Sequence, residues 1–321
     1  MASRLRYCAD LRQRLLTAIR ATASAASRCP AGGSRTAEAA SPDASGCGSS
    51  WASGRPFIVD GAPRLAGLAP RSDWLRNMAA KASPLAARIA AEWREDARME
   101  HASIAAFARF TLDLLAFGAP AELVELAQRA ALDEVEHARL CFGLAARYSG
   151  VETGPAPLPA ADLRLAGSLW DAATSAFEEG CIGETLAALF AESALARARD
   201  PEVVLALQQI AEQEGRHAEL AWRFVGWSLA RLGPDLRYEL ERRLALAQQT
   251  SAAARGEPDR ESPGNRAVLH AAGRLSAADK RRLTDAGLRD IVARCVAQLT
   301  PPAAVAGPAL TSADDSGTRS T

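Results

Sequence analysis

The sequence predicts an all-α fold, a four-helix bundle with one long crossover, on three observations. Ala, Leu and Arg recur throughout, while aromatic residues make up only 5% of the 321-residue chain, a balance that favours helices over sheets. Apolar residues return at helical spacing from about Trp74 to about residue 252. The breakers that divide this stretch come as short, long and short linkers, the mark of two tight helical hairpins joined by a crossover.

Residues 1–55 are rich in Ala, Ser, Gly and Arg with little apolar periodicity after Ile19, and are expected to form a disordered extension. A short extended segment follows at 56–75, where Phe57-Ile58-Val59 leads into the turn signal Asp60-Gly61. The bundle is placed at 76–232. Its first helix runs from about 82 to 117, with Pro84 near its start, and stops at Gly118-Ala119-Pro120; the second runs from about 121 to 148. Three prolines and two glycines make 149–161 the connector, which can span on the order of 45–55 Å when extended. Helix three covers about 163–198, Asp200-Pro201 turns the chain, and helix four covers about 202–231. Accessory helices occupy 233–300: a fifth opened by Gly233-Pro234, a polar linker from Glu257 to Asn265, and a last helix capped by Ser276 and Asp279. Residues 301–321 are read as a disordered tail.

Composition narrows the function classes. The 38 basic and 38 acidic side chains cancel, so no net field draws in nucleic acid or an anionic membrane. No stretch approaches the roughly 18 apolar residues of a membrane span. The six cysteines form no C-x-x-C pair, which excludes zinc-ribbon, rubredoxin and thioredoxin-like sites. The cytoplasm is the expected compartment, and only a signal upstream of the assigned start would change that. Lysine occurs at two positions, Lys81 and Lys280, against a large excess of arginine.

An internal repeat carries the chemistry. Offsetting the chain by 80 residues aligns Glu122 with Glu202, Gln128 with Gln208, Glu134 with Glu214, His137 with His217 and Leu140 with Leu220. The repeat therefore holds two Glu-x-x-His pairs, Glu134/His137 and Glu214/His217. Three residues apart on a helix, a carboxylate and an imidazole converge on one face. Two such pairs among four histidines would arise by chance about once in forty sequences of this composition.

Two metal ions also require a carboxylate from each partner helix at the same height. Glu100 lies 19 residues before the turn near Ala119, against 15 and 18 after it for Glu134 and His137. Glu184 lies 17 residues before Pro201, against 13 and 16 after it for Glu214 and His217. Glu178 and Glu179 are about 8 Å too far along their helix. The candidate metal ligands are thus Glu100, Glu134, His137, Glu184, Glu214 and His217. Four carboxylates carry a charge that two divalent ions balance, and mixed oxygen and nitrogen ligation suits two iron ions, with manganese as the alternative. Cys141 and Cys181 are expected to face the core as small buried thiols, His101 to sit outside the ligand set, and Glu136, Glu212 and Glu219 to be outer-face charges.

With these residues in place, the sequence resembles the ferritin-like di-iron carboxylate superfamily over about residues 92–230. The blocks that carry the likeness are Glu100-His101-Ala102-Ser103, Asp133-Glu134-Val135-Glu136-His137-Ala138, Gly183-Glu184-Thr185 and Glu214-Gly215-Arg216-His217-Ala218. More narrowly, it is similar to bacterial ferritin-like domain-containing proteins that carry an extra N-terminal segment. The resemblance implies a ferritin-like bundle, a di-iron site and self-association as a homodimer. Three departures narrow the subfamily. The paired C-x-x-C motifs of rubrerythrins are absent. Cys141 stands where radical-generating ribonucleotide reductase subunits have a tyrosine. The long N-terminal segment disfavours a ferritin storage cage.

The expected function is an oxidase or ferroxidase dependent on O2 or peroxide, with an unspecified reductant or substrate. Two alternatives stand beside it: a di-iron hydroxylase of an organic or RNA substrate, and a non-catalytic metal-binding or structural helical module. The charge balance weighs against RNA.

Overall fold

The computed structural model describes Thr17 and residues 54–161 and 163–299. Apart from Thr17, Gly54 and Arg55, the extension expected at 1–55 lies outside these residues, as does the tail expected at 301–321. Within them the chain is mostly helical, with four two-residue strands. None of its helices is long and apolar enough to cross a membrane.

The extended segment forms as the sequence predicts. Strands β1 (Ile58–Val59) and β2 (Ala62–Pro63) pair antiparallel around Asp60 and Gly61, both at positive φ. Strand β3 (Leu68–Ala69) pairs with β4 (Gly154–Pro155), so the connector is pinned to the N-terminal segment.

Helix α1 (Ala86–Ala116) and helix α2 (Ala121–Ser149) form the first antiparallel pair, reversing through Phe117–Pro120. Gly150 ends α2 in the left-handed conformation at φ +69°, a position where a side chain would clash with its own backbone. The next long helix departs from expectation twice. It begins at Leu169, capped by the Ser168 hydroxyl accepting from the Asp171 N–H, and not near 163, since 163–168 is irregular. It is also not uniformly α-helical. Helix α3 (Leu169–Ser175) passes into a π-helical segment (Ala176–Glu184) before helix α4 (Thr185–Leu195) resumes α geometry. Helix α5 (Pro201–Leu232) starts on an Asp200 cap with Pro201 in its first turn.

Beyond these come α6 (Pro234–Ala253), α7 (Pro263–Ala271), α8 (Ala277–Gly287) and, after a π turn, α9 (Ala293–Gln298). The predicted Ser276/Asp279 capping box is present in full. Helix α7 corrects the reading of 257–265 as a linker alone: Ser262 caps it by accepting from the Asn265 N–H, and Pro263 opens its first turn.

One apolar core runs through α1 to α5 and takes in Leu283, Leu288, Ile291 and Val296 of the C-terminal helices. Its largest fully buried members include Trp93, Phe107, Phe142, Phe177, Trp222 and Phe224. A buried ion pair fixes one end. Arg147 of α2 donates to both carboxylate oxygens of Asp200 (3.0 and 3.1 Å), which also accepts from the Tyr148 hydroxyl at 3.1 Å. The cap of α5 is thereby tied to the last turn of α2.

Candidate metal centre

The structure brings all six predicted residues together in the middle of the helices. Glu100 comes from α1, Glu134 and His137 from α2, Glu184 from the end of the π segment, and Glu214 and His217 from α5. They form two overlapping groups able to hold a metal ion: Glu100, Glu134, His137 and Glu214, and Glu134, Glu184, Glu214 and His217. In each group one ligand atom per residue lies within 4.8 Å of all the others. Glu134 and Glu214 belong to both, so each faces two positions at once.

The imidazoles turn Nδ1 inward. His137 Nδ1 lies 3.7 Å from Glu100, 3.4 Å from Glu134 and 3.4 Å from Glu214. His217 Nδ1 lies 3.2 Å from Glu134 and 3.5 Å from Glu214. Their outer Nε2 atoms are held by a crossed relay. Gln213 Nε2 donates to Asp133 Oδ1 at 2.6 Å, which turns Gln213 Oε1 toward His137 Nε2 at 3.0 Å. Asp133 Oδ2 in turn lies 3.3 Å from His217 Nε2. Both Nε2 atoms therefore donate outward, so that each imidazole, once neutral, offers its Nδ1 lone pair to the interior.

Donor chemistry tests whether a metal pair fits. Glu134 Oε2, both carboxylate oxygens of Glu184, Glu214 Oε2 and the Nδ1 atoms of His137 and His217 are buried without a hydrogen-bond partner. Buried polar atoms are normally paired, and leaving this many facing one another is unfavourable unless a cation takes their lone pairs. The unpaired atoms are the ones that point into the two groups. The residues fit a pair of divalent ions.

Electrostatics carry the same message. Burial opposes protonation of His137, yet Glu100, Glu134 and Glu214 hold its pKa well above the usual histidine range; Asp133, Glu134 and Glu214 do the same for His217. Burial, reinforced by Glu134, pushes Glu100 well above the usual carboxylate range, and burial with Glu214 does so for Glu184. Burial also disfavours the charged forms of Glu134 and Glu214, but the two imidazoles prevail and draw both down. Protons thus occupy the cluster when no cation balances it.

The cluster is roofed by the strap Gly54–Phe57. The Gly54 N–H donates to the Gly183 carbonyl at 3.3 Å, and the Ser103 hydroxyl donates to the Arg55 carbonyl at 2.8 Å. Gly54 sits at φ +85°, and a Cβ on Gly183 would lie 2.5 Å from the Gly54 carbonyl oxygen. Arg55 is buried between the rings of Phe107 (5.0 Å) and Phe110 (4.1 Å), with Glu179 3.9 Å away. Gly54 and Arg55, assigned from sequence to the disordered extension, are part of this packed roof.

The remaining sequence candidates fall outside the cluster. His101 packs edge-on against Trp74 at 5.0 Å, and Cys141 and Cys181 are buried, as predicted. Glu136 pairs with Arg139, Glu212 with Arg216 and Glu219 with Arg223. Glu178 pairs with Arg243, and Glu179 joins Arg109. Asp133 and Gln213 were missed. Their signal was available, because each immediately precedes the Glu of its Glu-x-x-His pair at the same 80-residue offset.

Comparison of the chain with known protein families, curated proteins and solved structures returned no match.

Proposed function

We propose that this chain is a ferritin-like dimetal carboxylate protein, most simply di-iron, acting as an oxidase dependent on O2 or peroxide. The observation that carries the reading is the pair of overlapping four-residue groups, buried, unpaired and sharing Glu134 and Glu214. Two hairpins joined by a long connector, with Glu-x-x-His in the second helix of each, are the bundle arrangement this reading requires.

In this role Glu134 and Glu214 would be shared between the two metal positions, with Glu100 and His137 holding one and Glu184 and His217 the other. When bound, a redox-active metal pair supplies the electrons and the Lewis acidity for reducing oxygen or peroxide. The protein supplies the rest. Asp133 and Gln213 fix the imidazole orientation. Arg55, Phe107 and the Gly54 backbone close the Glu184 side to water. Glu100, whose side chain is 17% exposed while those of Glu134, Glu214 and both histidines are 2% or less, is placed to exchange protons with the cavity beside it.

Anaerobic loading of the full-length chain with ferrous iron tests the proposal. Two irons per chain, oxygen consumption on mixing and loss of both in Glu134→Ala are expected. Failure to bind iron would overturn the centre itself. Two metals bound without any oxygen or peroxide consumption would leave the non-catalytic metal-binding module as the function.

A further inference from the structure

Of the six ligands, Glu100 has 17% of its side chain exposed, while the other five are buried. An ion bound for the centre has to come past Glu100 unless the Gly54–Phe57 roof lifts. Beside Glu100 is a cavity of about 90 Å³ that also reaches Glu214 and Gly54, with room for an ion and a few waters. Glu92, Asp96 and Glu100 stand four residues apart on α1, so they share a face and place a carboxylate about every 6 Å along it. Asp96 and Glu100 both line the cavity. Much of the remaining lining is apolar: Trp93 and Met99 of α1, Phe190 and Ala191 of α4, and Leu207 and Ile210 of α5. Low-dielectric walls around carboxylates focus their field and concentrate cations.

The rim, formed by the turn between α7 and α8 and the first turn of α8, holds the opposing charges. Gly273 fixes its shape: it turns at φ +72°, and a Cβ there would lie 2.4 Å from Val203. Arg274 lies over the Trp93 ring at 4.3 Å and donates to Asp96 at 2.6 Å and Glu92 at 3.1 Å. Burial opposes the charge of Asp96, but Arg274 and the half-buried Lys280 prevail and hold its carboxyl below the usual range. Glu92, Asp96, Glu100 and Glu214 outnumber these two cations, so the path is anionic. Asp96 is also its most accessible carboxylate, with 36% of the side chain exposed against 28% for Glu92.

We propose that this cavity is the entry route for divalent metal ions, a reading that rests on the dimetal centre proposed above. Asp96 is the outer station, and Glu100 is the inner one about a helical turn further in. Lys280 and Arg274 are the counter-charges that hold Asp96 until an incoming cation replaces them. Beside the apolar walls, the α1 carboxylates supply the oxygens that stand in for the waters the ion sheds.

The test is a filling rate. The metal-free full-length chain is mixed anaerobically with ferrous iron, quenched at timed intervals with excess chelator and desalted, and the iron retained per chain is counted. Asp96→Asn is expected to slow filling about tenfold. Because Asp96 is not a ligand of either position, the same two irons should be retained at the end. Lys280→Gln should act in the opposite direction and speed filling about threefold, since it removes an ammonium that competes for Asp96. Ala191→Phe, which narrows the cavity without touching a charge, should slow filling. Unaltered rates in both Asp96→Asn and Ala191→Phe, or slower filling in Lys280→Gln, would overturn the route while two retained irons upheld the centre. A wild-type chain that retains no iron would overturn both.

Discussion

The two halves of the centre have the same ligands and different surroundings. On the α1–α2 side, Glu100 projects from regular α-helix and opens onto a cavity; His137 hands its outer proton to the neutral amide of Gln213. On the α3–α5 side, Glu184 closes a π-helical segment under the Gly54 backbone and is 1% exposed; His217 faces the anionic Asp133. The repeat fixes which atoms meet, and the non-repeated parts decide which half is reached from outside. The α1–α2 half is the one with a cavity beside it, while the α3–α5 half is closed over by the Gly54 backbone.

The largest test of that contrast removes a shared ligand. Glu134→Ala or Glu214→Ala should reduce bound metal from about two per chain to near zero, whereas Glu100→Ala or Glu184→Ala should leave about one; elemental analysis reads the difference. If the shared and unshared ligands behave alike, the two halves are not joined through Glu134 and Glu214.

The anionic partner should make the sealed position the tighter one. Asp133→Asn is expected to weaken that position by about 10–100-fold, and Gln213→Asp to strengthen its counterpart, as measured by competition with a metal-binding dye. Because surrounding carboxylates raise the pKa of both histidines, protons must leave before a metal enters. Apparent affinity should therefore rise with pH through the neutral range, by about tenfold per unit for each proton displaced. The same raised pKa values mean that the histidine–carboxylate stabilisation of the metal-free fold is complete below the ordinary histidine pKa and fades as pH climbs through the folded value. A flat affinity profile would contradict this charge pattern.

Gly183→Ala probes the roof alone. The added methyl meets the Gly54 carbonyl oxygen, so about 1–3 kcal/mol of destabilisation is expected, seen as a lower Tm. The smallest effect belongs to a helix cap outside the cluster. Burial opposes ionisation of Asp279, but His270 (2.8 Å) and the Ser276 cap overcome it and hold the carboxyl below its usual range. Its contribution is thus present above the unfolded carboxylate pKa and lost as pH falls through the depressed value. Asp279→Asn should cost about 1 kcal/mol at neutral pH and less in acid, measured by urea denaturation at both.

What could be read from sequence followed from local rules. The Glu-x-x-His spacing, the 80-residue repeat and the turn-based heights of Glu100 and Glu184 depend only on helical geometry and linker positions, and the structure brings those six residues together. The π segment was not legible from spacing; Gly180 and Gly183 within it pack closely against Ala221 and the Gly54 backbone, contacts that local sequence does not reveal. Helix α7 was missed because Glu257 to Asn265 is polar, and the polarity outweighed the Ser262-Pro263 start signal inside it. The Gly54–Phe57 roof was hidden for a different reason: it depends on contacts with Ser103, Phe107 and Gly183, which lie about 50 to 130 positions away in sequence.

That separation in sequence also orders assembly. The roof joins Gly54 to Gly183, and the rim joins Arg274 to Asp96 and Glu92, 178 and 182 positions apart. Hairpins such as α1–α2 close cheaply and early, whereas each of these long loops gains nothing until the helices beneath it are already docked. The four ligand-bearing segments can therefore meet before the lid and the mouth exist. Folding itself thus leaves an interval in which the cluster stands open, before the Gly54–Gly183 and Arg274–Asp96 contacts form over it.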